Sequence, residues 1–199
     1  MAGNQNKVMN LPNILSLVRM AMVPLFVSAI LYIPSHVWSP ILGALLFGLA
    51  SLTDMLDGMI ARRRGLVTDF GKFLDPLADK FMVFAALLSI LASPLYKDIH
   101  SFFIWVAVLI ILRELGVTSL RLVVASKNVV VAASFFGKAK TCTQIAGVLL
   151  ILLEPVMGNF GQTHILAYVM MCAMVLTTLG SGVDYLRTYW PYLIVKESE

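Results

Sequence analysis

A chain of 199 residues in which 59% are hydrophobic and only 13% charged, with a mean hydropathy of +0.88, lies far outside the range of soluble globular domains. Fifteen basic residues against eleven acidic ones leave a net charge of +4, but the basic residues stand at the ends of apolar runs instead of massing in one tract, which argues against nucleic acid as a partner. The composition is that of an all-α integral membrane protein, whose positive balance suits anionic membrane lipids and phosphorylated substrates.

Residues 1–10 are polar apart from Val8 and Met9 and read as a surface or mobile segment. Asn10 followed by Pro12 predicts a helix start, because a proline in the first turn gives up an N–H that had no partner there. Apolar segments then follow at about 12–34, 40–62, 70–95, 101–125, 141–158 and 163–189. Each approaches the ~20 residues that span a hydrocarbon layer, so six transmembrane helices are expected. The first lacks a small-residue cleavage site and is interrupted by Arg19 and Pro24, so it reads as a retained helix and not a removable signal.

With the N-terminus inside, the outer connections near 35–40, 96–101 and 158–163 hold Lys97 as their one basic residue. The inner ends and connections hold Lys7, Arg62, Arg63, Arg64, Lys72, Lys127, Lys138, Lys140, Arg187 and Lys196. That asymmetry predicts both termini in the cytosol and a multi-pass protein of the cell membrane. No soluble domain, internal repeat or low-complexity linker is evident, and residues 1–199 read as one membrane domain.

The second and third segments carry the chemistry. Asp54, Asp57, Gly58 and Ala61 fall at i, i+3, i+4 and i+7, one stripe of a helix, and Gly71, Asp75 and Asp79 make a second stripe at i, i+4 and i+8. Carboxylates this close to lipid need compensation. Facing stripes would gather four of them beside side-chain-poor surfaces, a shape suited to hard divalent cations bridging a phosphate-bearing ligand. Asp54 precedes Arg62 by eight residues, roughly 12 Å along a helix, which puts the polar cavity at the cytosolic side, level with lipid head groups. A divalent-cation transporter is the alternative of another class, although no acidic set lines the outer half of the predicted helices.

Helix 4 carries Arg113, Glu114 and Arg121, and the inner loop after it ends in Gly137-Lys138-Ala139-Lys140-Thr141. Glu114, Thr118 and Arg121 share a stripe, so an internal Glu114–Arg121 pair is one reading. An anion pocket of guanidinium and ammonium groups is the other. Glu154-Pro155 marks the outer end of helix 5, and Gly180-Ser181-Gly182 in helix 6 reads as close helix packing. Cys142 and Cys172 show no ligand or disulfide spacing and read as buried packing residues. His36, His100 and His164 fall in predicted turns away from the carboxylates.

The order Asp54-x-x-Asp57-Gly58-x-x-Ala61-Arg62, eight residues, Gly71-x-x-x-Asp75-x-x-x-Asp79 resembles the signature of the CDP-alcohol phosphotransferase family at every fixed position. The resemblance implies a CDP-linked lipid donor, CDP-diacylglycerol, an alcohol acceptor, and release of CMP. It makes Asp54, Asp57, Asp75 and Asp79 the ligands of two Mg2+ ions, with Mn2+ possible, and Asp79 also the general base. Gly58, Arg62 and Thr68 match positions that contact the nucleotide and diphosphate, with Ala61 and Gly71 on the same side-chain-poor surface. Asn13 and Arg19 would border the donor's head group, with helix capping and snorkelling as their structural alternatives. Arg63 and Arg64 read as positive-inside residues.

Three further stretches resemble the branch of the family that uses sn-glycerol 3-phosphate: Asn10-Leu11-Pro12-Asn13 with Arg19, Arg113-Glu114 through Arg121, and Gly137-Lys138-x-Lys140-Thr141-x-x-Gln144. That branch implies an acceptor-phosphate pocket of Arg113, Arg121, Lys138 and Lys140. Phosphorylated inositol would need a similar pocket and is the nearest rival acceptor. The family also implies a homodimer.

Overall fold

The computed structural model describes residues 11–64, 69–126, 135–158 and 163–194. The described residues form six long α-helices: α1 (Leu11–Tyr32), α2 (Trp38–Arg64), α3 (Asp69–Ala92), α4 (His100–Ser126), α5 (Phe135–Leu153) and α6 (Ile165–Ile194). Short 3-10 turns at Pro94–Ile99 and Glu154–Val156 follow α3 and α5. The predicted surface segment 1–10 lies outside the described residues.

Among the described residues five helical stretches are long and apolar enough to cross a membrane: Ile14–Tyr32, Trp38–Met55, Pro94–Val124, Phe135–Val156 and Ile165–Trp190. α3 contributes a shorter apolar stretch, Lys80–Ala92, behind its charged beginning. The outer faces of the helices are apolar: Leu25, Tyr32, Trp38, Trp105, Leu112, Leu122 and Leu176 are all exposed. Water would penalise so much exposed apolar surface, and lipid does not.

Hydropathy misplaced one boundary. Gly137 to Lys140, expected in a loop, lie inside α5, which begins at Phe135. Alanine and lysine are good helix formers, and the Thr141 and Thr143 hydroxyls donate to the carbonyls of Gly137 and Ala139 one turn back. An apolar run marks the lipid core and not the helix end.

The helices divide into two compact units. One contains α1, α2, α3 and the turn after α5. Here α1 packs against both α2 and α3, and α2 returns along α1 in strict register. Ile30 lies against Gly43, where any β-carbon would run into the Ile30 side chain, so glycine is what lets the two backbones approach. Four residues back on α1 and four forward on α2, Phe26 meets Phe47 with ring centroids 6.2 Å apart. Seven further on each helix, the same face carries Arg19 to Asp54. In α3 the buried face runs through Ala78, Met82, Ala86 and Ile90. The Tyr96 hydroxyl donates to the Leu152 carbonyl at 3.1 Å and ties down the turn that follows.

The other unit contains α4, α5 through Ile151, and α6. Phe102 packs on Tyr168, and Leu120 and Val124 cluster with Tyr185 and Tyr189, so α4 and α6 run parallel. α5 runs the opposite way: Gly147 meets Met174, and Phe136 lies by Gly180, 3.7 Å from where a β-carbon would stand. The small residues of α6 are thus packing positions, as expected.

Cys142 and Cys172 are exposed and not buried. The expectation came from proteins in water, where a thiol avoids solvent; on a lipid-facing helix a thiol meets hydrocarbon on either side. The histidines stand at helix ends: His36 in the α1–α2 turn, His100 opening α4, and His164 before α6, where its Nε2 lies 3.8 Å from Asp98 Oδ2.

Candidate active site

Asp54 anchors the first half of the site. Arg19 Nη1 donates to Asp54 Oδ1, with the guanidinium 2% exposed and the carboxylate 42% exposed. Arg19 therefore does not snorkel to a membrane surface; it is shut between helices. A guanidinium cannot shed its charge, so burying it requires an anion alongside. Asp54 meets that requirement with one oxygen and keeps an open side.

Positions 57, 58, 61 and 62 continue along α2, and positions 71, 75 and 79 recur every four residues along α3, so both predicted stripes lie on helices. The side chains of Asp57, Asp75, Asp79, Ala61, Arg62 and Asn13 lie outside the described residues, and Thr68 lies outside them altogether. Among the described residues no three His, Cys, Asp or Glu side chains gather, three of the four motif aspartates being outside that set. Hard carboxylate oxygens are the donors that Mg2+ and Mn2+ take, and Asp54 has an oxygen beyond the one given to Arg19. The donor set carried by α2 and α3 fits a hard divalent ion.

The second unit holds a cluster of opposite character. Arg113 Nη1 donates to Glu114 Oε1 at 3.1 Å, and Lys140 Nζ from α5 pairs with the same oxygen. Arg113 also lies over the Tyr185 ring, 5.7 Å from its centroid, and its side chain passes Gly182. Two of the four predicted acceptor-phosphate residues, Arg113 and Lys140, are thus brought together and buried, while Arg121 and Lys138 are exposed. The Glu114–Arg121 pair does not form. Seven residues of helix separate them by about 10 Å along the axis, whereas Lys140 reaches Glu114 from a neighbouring helix. Sequence reasoning missed Glu114 as the residue joining Arg113 to Lys140. A carboxylate next to an arginine in an apolar helix was the available signal, because neither charge can face lipid.

With this geometry in hand, the chain can be set beside known proteins. A family model described as CDP-alcohol phosphatidyltransferase matches residues 9–179, which takes in the aspartate motif, the Arg113–Glu114 pair and Lys140. The chain belongs to the CDP-alcohol phosphatidyltransferase family. Within it, a protein of Mycobacterium tuberculosis strain H37Rv named probable phosphatidylglycerophosphate synthase is 41% identical over 180 residues, covering 90% of this chain and 81% of its own length. The CDP-diacylglycerol–glycerol-3-phosphate 3-phosphatidyltransferase of Bacillus subtilis strain 168 is 38% identical over 196 residues, covering 92% of this chain and 97% of its own. A Yersinia pestis (strain Pestoides F) protein of the same name is 36% identical over 189 residues, with 94% and 98% covered.

Proposed function

We propose that this chain transfers the phosphatidyl group of CDP-diacylglycerol to sn-glycerol 3-phosphate, giving phosphatidylglycerol phosphate and CMP. The observation that carries the reading is the complete aspartate motif, in a chain similar along nearly its whole length to proteins named for that reaction.

Asp54, Asp57, Asp75 and Asp79 hold the divalent ions, two Mg2+ or Mn2+, which when bound supply positive charge to the diphosphate and the leaving CMP oxygen. Gly58, Ala61 and Gly71 leave room for the nucleotide and diphosphate, with Arg62 and Thr68 as their polar contacts and Asn13 toward the head group. Asp79 takes the proton from the acceptor hydroxyl. That oxygen then bonds to the lipid-side phosphorus as the bond to the CMP oxygen breaks. Arg113, Arg121, Lys138 and Lys140 serve the phosphate that the acceptor already carries. The protein is a homodimer in the cell membrane, with α3 as a sixth span, both termini cytosolic and the cavity open to cytosolic substrates, in keeping with its basic-residue asymmetry.

The test is CMP release by purified protein with CDP-diacylglycerol and glycerol 3-phosphate, inositol 3-phosphate, serine or phosphatidylglycerol in turn. Fast release with glycerol 3-phosphate alone is expected. Preference for inositol 3-phosphate would overturn the acceptor, and divalent-ion uptake into liposomes without CMP release would overturn the enzyme.

A further inference from the structure

Arg113 is held by two contacts of different kinds. Its Nη1 donates to Glu114 Oε1 at 3.1 Å, and its guanidinium carbon stands over the Tyr185 ring of α6, 5.7 Å from the centroid. The stem of the same side chain runs against α6 at Gly182, one turn before Tyr185, with Cγ 3.6 Å from where a β-carbon would stand. The side chain is 12% exposed, so its charge lies largely out of reach of water. In such a place the face of a tyrosine attracts a cation more strongly than it would at a surface.

The two contacts differ in what they consume. A carboxylate takes N–H groups from the guanidinium edge, which offers five in a fixed fork. An aromatic ring takes the flat face and leaves the edge alone. Glu114 uses Nη1, and Arg113 Nε is buried without a hydrogen-bond partner among the described residues. A charged donor left in that condition is what an oxyanion satisfies. A carboxylate in place of the ring would hold Arg113 too, but would take up donors that a phosphate needs.

Tyr185 is itself fixed. It stacks on Tyr189, one turn further along α6, with ring centroids 6.0 Å apart and planes 22° apart, and both rings cluster with Leu120 and Val124 of α4. Packing against Leu120 and Val124 asks only for apolar bulk. The contact with Arg113 asks for a π face.

We propose that Tyr185 is a positioning residue for the acceptor's phosphate: its ring holds the Arg113 guanidinium by the face and leaves N–H groups of the edge for the oxyanion. The inference rests on the glycerol-phosphate reading above, and it brings α6 into an acceptor site which that reading builds from α4 and α5 alone.

Steady-state kinetics on the purified enzyme, with each substrate varied in turn, test this through a graded series at position 185. Tyr185→Phe keeps the π face and leaves the KM for glycerol 3-phosphate within about threefold of wild type. Fluorinating that phenylalanine ring once, twice and three times drains negative charge from its face at nearly constant size. The acceptor KM then rises stepwise, about tenfold in all, while the KM for CDP-diacylglycerol stays within about twofold. A ring that serves packing alone makes every fluorinated enzyme equal to Tyr185→Phe. That flat series, or an equal rise in both KM values, overturns the proposal. If Tyr185→Phe does not survive purification, fluorinated tyrosines at the same position replace the series; the same stepwise rise supports the proposal and a flat response overturns it. Wild type that fails to turn over glycerol 3-phosphate overturns the functional reading itself, whereas wild-type turnover with a flat series overturns the Tyr185 assignment alone.

Discussion

The ion pair of the α1–α3 unit buries its cation and leaves its carboxylate open, whereas the ion cluster of the α4–α6 unit buries a carboxylate under two cations. Both solve the same problem, since no ionised group can stand alone among apolar helices. They differ in what stays accessible. The first leaves Asp54 half-exposed, with an anionic oxygen that a hard cation can take; in the second Arg113, Lys140 and Glu114 are all largely shut away. The difference lies in whether the carboxylate stays open, as Asp54 does, or is closed off by its cations, as Glu114 is.

The comparison can be broken at four points, the largest effect first. Asp79→Asn removes the proposed proton acceptor, and turnover should fall by about 10²–10⁴-fold while CDP-diacylglycerol still binds. Full activity in that variant, measured as CMP release, would take Asp79 out of the mechanism. Arg19→Met deprives Asp54 of its buried partner. Loss of such a supporting contact costs about 10–100-fold in metal affinity or activity, so the Mg2+ concentration for half-maximal turnover should rise. If the KM for CDP-diacylglycerol rose instead, with metal dependence unchanged, Arg19 would be a lipid ligand and not the partner that orients Asp54.

Lys138→Ala is a smaller change on the cationic side. Lys138 is exposed, and one charge-assisted contact is worth about 1.5–3 kcal/mol. The KM for glycerol 3-phosphate should rise about tenfold or somewhat more, with that for the lipid donor unchanged; an equal effect on both would remove Lys138 from the phosphate site. Gly43→Ala gives the smallest effect. The new methyl group meets the flexible end of Ile30, so the loss of stability should be about 1–3 kcal/mol, read as a lower thermal midpoint. A simultaneous change in metal dependence would show that the α1–α2 register itself governs Asp54.

Much of this was legible in residue types and spacing. The apolar runs located the helices because hydrophobic length is dictated by lipid, and the aspartate spacing was readable because positions three and four apart share a helix face whatever surrounds them. Partners across helices were not readable. Arg19 reaches Asp54 only because Ile30 on Gly43 and Phe26 on Phe47 set the α1–α2 register, a property of packing shape that no periodicity reports. The Glu114–Arg121 pair that the helix stripe allowed as one reading does not form, and a partner of Glu114 stands instead on α5. Cys142 and Cys172 were misjudged for a related reason: between helices and lipid, polarity distinguishes inside from outside poorly.

The most direct measurement is the product balance of the purified protein in lipid vesicles supplied with CDP-diacylglycerol, isotope-labelled sn-glycerol 3-phosphate and Mg2+. The account predicts labelled phosphatidylglycerol phosphate and CMP in equal amounts, and neither once the divalent ion is chelated. CMP formed without labelled lipid, or undiminished product after chelation, would contradict it.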